Sequence, residues 1–381
     1  MTVIIGAGPA GLATSRELAR AGIEHTVLER GRQVGQTWVD LYDSLVLHTA
    51  RRLSALPGLA FPSGTPLFPS RPAFVQYLQT YADTFTLPVR LNATVTRVRR
   101  DGGHWRSQLA TGEVISAREV VVATGIVANP YVPEIPHRER FAGRLLHSVE
   151  YRRPDPFADQ RVLVVGTGNS AGEIAAELAA AGARVTVAVR AGATVVPRQV
   201  AGIPIQYLAL AASGLPRGAQ RAVLSVMGRV QALVRGPAVL PAPPPAECPK
   251  VPLIGFQLAD AIRAGTVRLA GRLTELTADG ARFGDDSSAA FDSVILATGY
   301  RAALGILGGA IRLDECGFAI RSDRVASPDQ PDLYFVGHTY DLRGGLFNIG
   351  RDARRAARRI IARRREMSRT STGTPRPGSE R

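Results

Sequence analysis

The sequence predicts an α/β protein built from two Rossmann-like domains, the second inserted into the first. Three observations carry that reading. The chain opens MTVIIGAGPAGLATSRELARAG. A stretch from Arg161 reads RVLVVGTGNSAGEIAAELAAAGARVTV. Each is a short apolar run, a glycine-rich turn and an amphipathic helix. The third observation is a pair of later runs, VVVATGI at Val120–Ile126 and VILATGY at Val294–Tyr300, which read as buried strands ending in Ala-Thr-Gly. Glycine there admits close backbone approach, and such strands are where a chain leaves one unit and enters the other.

In the first unit, Val3, Ile4 and Ile5 form a short buried strand, and Gly6, Gly8 and Gly11 give G-x-G-x-x-G. A helix follows with Leu12, Ser15, Leu18 and Ala19 on one side. Next comes a strand from His25 to Leu28 that ends at Glu29. The first glycine permits the tight turn, the second lets backbone approach a pyrophosphate, and the third lets helix and strand pack closely. The helix N-terminus adds free N–H groups and the positive end of its dipole. Glu29 stands where a carboxylate can accept both hydroxyls of an adenosine ribose.

The second turn follows Val162–Val165 with Gly166, Gly168 and Ala171, a G-x-G-x-x-A variant. Its next strand, Arg184 to Val189, ends without an acid. The counterpart of Glu29 is Val189, and Arg190 follows. No carboxylate repels a 2′-phosphate there, and an arginine can meet one. The acid-bearing site suits FAD and the acid-free site suits NADPH. The expected order is an FAD-binding part over 1–146, an inserted NADPH-binding domain over 147–296, a return to the FAD domain over 297–366 and a disordered basic tail over 367–381.

Composition bounds the alternatives. At 381 residues and 45% hydrophobic, the chain is long enough for two domains with cores. Cys248 and Cys316 are far apart and in no C-x-x-C pair. This argues against a disulfide framework, a thiolate metal site or a dithiol centre, and no metal is expected. No run is long and apolar enough to span a membrane. The N-terminus lacks the basic region of a secretory signal, and a cytoplasmic location is the default.

The net charge of +15 invites a nucleic-acid reading. Against it, Lys250 is the one lysine among 47 basic residues, so the charge reflects a general arginine bias. Residues 351–381 carry eleven arginines against Asp352, Glu366 and Glu380. Many of these fall on the outer face of a helix whose inner face is Leu346, Ile349, Ala353, Ala357 and Ile360. A specific nucleic-acid partner is not expected. Peripheral membrane contact stays open, and oligomeric state is not readable.

Between the two units lies Phe141-Ala-Gly143-Arg-Leu-Leu-His147-Ser-Val-Glu-Tyr151. This matches F-x-G-x-x-x-H-x-x-x-[YF], and the chain resembles the flavin-containing monooxygenases, most of all their YUCCA-type branch and its bacterial relatives. Supporting segments are Tyr42–Thr49, F-P-S-R-P from Phe68, G-T-G-N-S from Gly166, V-V-P-R from Val195, Val251–Val267 and PDLYFVGH from Pro331. Baeyer–Villiger relatives carry tryptophan where this chain has Tyr151.

The resemblance implies an NADPH- and FAD-dependent monooxygenase that uses a peroxyflavin to oxygenate a small organic substrate with dioxygen. N- or S-oxygenation and oxidative decarboxylation of an aryl 2-oxo acid remain side by side. The alternative is an NADPH oxidase or electron-transfer reductase without oxygen insertion. The cofactor-binding residues expected are Gly6, Gly8, Gly11, Glu29, Arg30, Trp38, Thr124, Gly125, Gly166, Gly168, Asn169, Ser170, Arg190, Thr298, Gly299, Gly337 and Leu346.

His48 is the catalytic candidate, able to hydrogen-bond an oxygenated flavin or a substrate carboxylate, against a plain structural role at a domain seam. Trp38 reads first as packing, and His147 reads first as a hinge holder. Phe74, Tyr77, Leu78, Tyr81 and Phe85 read as a core stripe. The segment 203–249, with Leu224, Met227, Val230 and Leu233 on an apolar-and-arginine helix before a proline-rich loop, reads as a lid-like insertion.

Overall fold

The computed structural model describes residues 1–244, 251–339, 341 and 343–371. Cys248, Lys250, the end of the proline-rich loop and the tail beyond Ser371 lie outside the described residues, as do the side chains of Leu224 and Met227.

Two five-stranded sheets, parallel throughout, organise the chain. In the first, Thr2–Ile5 lies between His25–Leu28 and Glu119–Val122, with Val89–Arg90 and Leu333–Phe335 at the edges. In the second, Arg161–Val165 lies between Arg184–Ala188 and Ser293–Leu296, with Val267–Ala270 and Arg144–His147 outside. The central strands are fully buried, Val-Ile-Leu-rich runs, as a sheet covered on both faces requires. Chain order runs through four strands of the first sheet, then all five of the second, and returns to the first at Leu333. Arg144–His147 already pairs in the second sheet, so the chain has crossed over upstream of the expected His147.

Each unit also carries a three-stranded antiparallel meander just before its Ala-Thr-Gly strand, Val95–Ala117 in the first and Leu273–Ala290 in the second. The helices after the glycine turns, Pro9–Arg20 and Asn169–Ala180, pack on their sheets through Leu12 and Leu18, and through Ile174 and Leu178. The aromatic stripe is core: Phe74, Tyr77, Leu78 and Tyr81 are buried on the helix Arg71–Thr84. Tyr77 and Tyr81 donate their hydroxyls to the Leu59 and Pro57 carbonyls at 2.8 and 2.6 Å, which pins the loop outside them.

The last helix runs Gly345–Ser371, into the stretch expected as tail. Leu346, Ala353, Ala357 and Ile360 are buried. Its arginines are not simply solvated. Arg355 and Arg359 pair with Asp323, Arg363 with Asp332 and Arg364 with Glu119. The two-cysteine expectation is corrected in one respect: Cys316 is disulfide-bonded. Among the described residues no helix is long and apolar enough to cross a membrane, and no cluster of metal-ligating side chains occurs.

The Arg364 pair is the most exacting contact of this helix. Glu119 is fully buried and takes Arg364 Nε and Nη2 at 2.9 and 2.7 Å and the Thr2 hydroxyl at 2.9 Å. Removing the cation leaves a buried carboxylate short of donors. Arg364→Ala is expected to cost about 3–5 kcal/mol in a denaturant-unfolding titration, and the double variant Glu119→Gln/Arg364→Met much less.

Candidate functional site

The two glycine turns are built alike. Gly6 adopts φ +105°, and a Cβ there would stand 2.7 Å from the Ala123 carbonyl oxygen. Gly166 adopts φ +128°, with the Ala297 carbonyl oxygen 2.4 Å from the same position. In both units the first glycine is thus pressed against the alanine of its Ala-Thr-Gly strand. At Gly11 a Cβ would meet the Gly6 carbonyl at 1.8 Å, whereas the fully buried Ala171 fills the matching place. Gly8 and Gly168 differ from these: a Cβ on either would meet nothing within 4 Å. That open space lies at a helix N-terminus, where first-turn N–H groups have no intrahelical partner. It is a cradle that suits a pyrophosphate, and each unit has one.

Glu29 is braced for its place beside the first cradle. Its Oε2 accepts from Ala7 N at 2.7 Å and its Oε1 from Gly31 N at 2.8 Å. Each oxygen keeps a further lone pair for a ribose hydroxyl. Arg30 is exposed. Gly35 N donates to the Ala7 carbonyl at 3.0 Å and brings the short helix Gln36–Val39 to the turn. Trp38 on that helix packs edge-on against Phe74 with ring centroids 4.6 Å apart, a core contact. Leu346 is likewise buried in the first core. Gly337 adopts φ +88° with its Cβ position 3.1 Å from Ala10 Cβ, against the first helix.

In the second unit, Arg190 and Ser170 flank the turn, Arg190 exposed and Ser170 half-buried. Asn169, at the start of the helix, also ties down a neighbouring strand. Its amide donates to Pro252 O at 3.1 Å and accepts from Ile254 N at 2.8 Å, which holds the strand Leu253–Ile254. The Ala-Thr-Gly ends tie the two crossings together. Thr124 donates to Ala303 O at 2.8 Å, Thr298 donates to Tyr131 O, and Tyr131 N donates to Gly299 O at 2.9 Å. Gly125 accepts from Ala303 N at 3.1 Å. His147 accepts at Nδ1 from Val149 N and therefore donates from Nε2 to Gly299 O at 3.1 Å. Burial lowers its pKa, so it is a neutral fixture of the seam.

His48 lines a cavity of about 870 Å³. The helices Ile205–Ala212 and Arg217–Arg235 roof this cavity, Val195–Pro197, Pro252 and Ile254 line it, and Gly344–Gly345 at the start of the last helix stand on its wall. The Gly344 Cβ position lies 2.5 Å from Thr49 Cγ2, so that helix start abuts the residue after His48. Behind His48 sits Glu173, on the helix that begins at the second glycine turn. Its Oε1 receives His48 Nε2 at 2.7 Å and Arg198 Nη2 at 3.3 Å, and its Oε2 receives the Tyr42 hydroxyl. Burial pushes the Glu173 pKa up, but the hydrogen bonds from His48 and Tyr42, with the Arg198 charge, outweigh it and leave the pKa below the usual carboxylate value. Burial and the Glu173 charge raise the Tyr42 pKa strongly, so its proton stays on. One turn on, Glu177 accepts the Tyr151 hydroxyl at 2.9 Å.

Residues 3–200 match the family described as pyridine nucleotide-disulphide oxidoreductase. Across nearly the whole chain, the sequence is 35% identical to the indole-3-pyruvate monooxygenase YUCCA1 of Oryza sativa subsp. japonica, covering 97% of this chain and 93% of that one. A probable indole-3-pyruvate monooxygenase, YUCCA1 of Arabidopsis thaliana, is 33% identical, with 97% and 92% covered. The chain belongs to the YUCCA-type flavin-containing monooxygenases. Its fold superposes on a flavin-containing monooxygenase from Stenotrophomonas maltophilia with TM-score 0.75, 27% identity and 95% and 98% of the chains covered. This monooxygenase therefore uses FAD and NADPH, and the open cradles fit both.

Sequence reasoning missed Glu173, although it falls four residues after Asn169 on a helix already placed. It also missed His338, buried at the end of the PDLYFVGH run with neither ring nitrogen bonded among the described residues. Burial, with the Arg321 charge beside it, lowers the His338 pKa to about 3 and keeps the ring neutral.

The glycine geometry separates two substitutions of equal size. Gly11→Ala drives a Cβ into the Gly6 carbonyl and is expected to cost about 2–3 kcal/mol. Gly8→Ala meets open space, so thermal unfolding of the cofactor-free protein is expected to keep its midpoint.

Proposed function

We propose that the two cradles divide the cofactors, FAD at Gly6, Gly8, Gly11 and Glu29, and NADPH at Gly166, Gly168 and Arg190. Supporting the division, a braced carboxylate stands at the first, while at the second an exposed arginine follows Val189. The substrate assigned to the cavity is an aryl 2-oxo acid, and the reaction is its oxidative decarboxylation. FAD supplies electron transfer from NADPH and the activation of dioxygen. One oxygen atom joins the carbonyl carbon as the carboxyl group leaves as CO₂, the other leaves as water, and NADPH provides the two electrons.

The observation that carries this reading is the cavity. Its walls are chiefly Ala, Val, Leu, Ile and Pro, with His48 and the N-terminus of the last helix in one part of the lining. An aromatic ring suits such walls, and a carboxylate suits the positive end of a long helix. The names of the plant relatives support the same class. The chain's own work is to exclude water and to hold the substrate. The roof does the first, latched by Gln206, whose Nε2 donates to the His48 carbonyl at 2.8 Å.

Three measurements test the assignment. Holoenzyme given NADPH, dioxygen and phenylpyruvate or indole-3-pyruvate is expected to release one CO₂ and one arylacetate per NADPH; peroxide alone refutes the substrate class. Arg190→Ala is expected to raise KM for NADPH about tenfold, the worth of one charge-assisted hydrogen bond, and to leave KM for NADH within about twofold. Gly8→Ala is expected to weaken FAD retention while Gly168→Ala spares it.

A further inference from the structure

The Glu173 carboxylate collects three donors from two segments: the Tyr42 hydroxyl and His48 Nε2 from one, and Arg198 Nη2 from another. Tyr42 and His48 belong to the loop after the first unit's second strand, whereas Glu173 belongs to the helix that carries the second cradle. An ionised carboxylate only accepts hydrogen bonds, and the surrounding donors keep Glu173 ionised. The hydrogen between Glu173 and His48 therefore sits on Nε2. Nδ1 makes no hydrogen bond to any described residue, and the ring lines the cavity. The partner of one ring nitrogen decides the chemistry of the other. With Nε2–H spoken for, His48 offers Nδ1 as an acceptor.

We propose that Glu173 is a positioning residue for the oxygenation. It fixes His48 as the Nε2–H tautomer and leaves Nδ1 as the hydrogen-bond acceptor available to the cavity. The inference rests on reading that cavity as the place of reaction. It makes the second unit, which holds the NADPH cradle, a determinant of what the first unit's loop shows to the substrate. Arg198 has its own anchor, stacked over the Phe68 ring at 5.4 Å, and Tyr42 lies 6.2 Å from the Tyr151 ring, so the carboxylate's other two donors are held independently of His48.

The direct test is nitrogen NMR of ¹⁵N-histidine-labelled holoenzyme at pH 8, where the chain's six histidines give a small set of signals and His48→Gln assigns the one needed. The wild type is expected to show His48 as the neutral Nε2–H tautomer. Glu173→Met, which keeps length and removes the acceptor, is expected to give a mixture of tautomers. Glu173→Gln is expected to restore Nε2–H, because its amide oxygen still accepts. In parallel, the rate of peroxide release with NADPH and dioxygen but no substrate is expected to rise several-fold in Glu173→Met, with Glu173→Gln close to wild type. The double variant Glu173→Met/His48→Ala is expected to match His48→Ala.

An Nδ1–H or doubly protonated His48 in the wild type overturns the proposal, as does additivity in the double variant. Should Glu173→Met not fold, the wild-type and Glu173→Gln tautomers decide the matter. Neither readout uses a substrate. Failure to turn over an aryl 2-oxo acid therefore overturns the substrate assignment and leaves this positioning role standing.

Discussion

The close approach of backbone to backbone at the two glycine turns governs the architecture. Gly6 against the Ala123 carbonyl and Gly166 against the Ala297 carbonyl leave no room for a side chain. Each contact locks the carboxyl end of a central strand to its neighbour in register, Ile5 beside Val122 and Val165 beside Leu296. The helix that follows must then start at one fixed point, with its N–H groups facing the open cradle at Gly8 or Gly168. The chain crosses between units directly after the same alanines, so the seam lies at the carboxyl ends of both sheets. Ligands of open α/β sheets bind in such places. One steric constraint, used twice, sets the cradles and the seam together.

Polar contacts then fix how the units meet. The two crossings run antiparallel with a bridge between Pro130 and Tyr300, and Thr124, Thr298 and His147 all hydrogen-bond across them. On the second unit's helix, Glu173 and Glu177 each take a tyrosine hydroxyl, from Tyr42 and Tyr151. The last residue of the F-x-G-x-x-x-H-x-x-x-[YF] run thereby acquires a physical reason: tyrosine brings the hydroxyl that Glu177 accepts. Of the two, the Tyr42–Glu173 contact crosses between the units, whereas Tyr151 packs in the second unit's own core; a hydrogen bond to a charged acceptor is worth about 1.5–3 kcal/mol.

What was legible in the sequence follows the range of the interactions. The glycine turns, their strands and the inner face of the last helix are local patterns, and they stand as read. The two meanders were not legible, because strands such as Val95–Asp101 and Leu273–Leu276 bury a single residue each and give little apolar pattern. Arg364 looked like one more solvated arginine, since its partner Glu119 lies 245 residues away. Asn169 makes contacts no local pattern shows, since its amide bonds the Pro252 carbonyl and Ile254 N more than eighty residues on. Cys316 is another case, because spacing says nothing of a bridge that folding makes.

The two units differ at the place of Glu173. The register that aligns Gly6 with Gly166 sets Ala13 opposite Glu173, and Glu17 opposite Glu177. Ala13 is fully buried against the first unit's core, so a Rossmann helix needs nothing polar at that position. Burying a carboxylate carries a desolvation cost of several kcal/mol unless donors are supplied. Here Tyr42, His48 and Arg198 supply them, and two of the three come from the other unit. The fold alone does not ask for this arrangement. An acid that the architecture does without, at the helical position that bonds the cavity histidine's ring, is what a site would need if it required that ring held one way round.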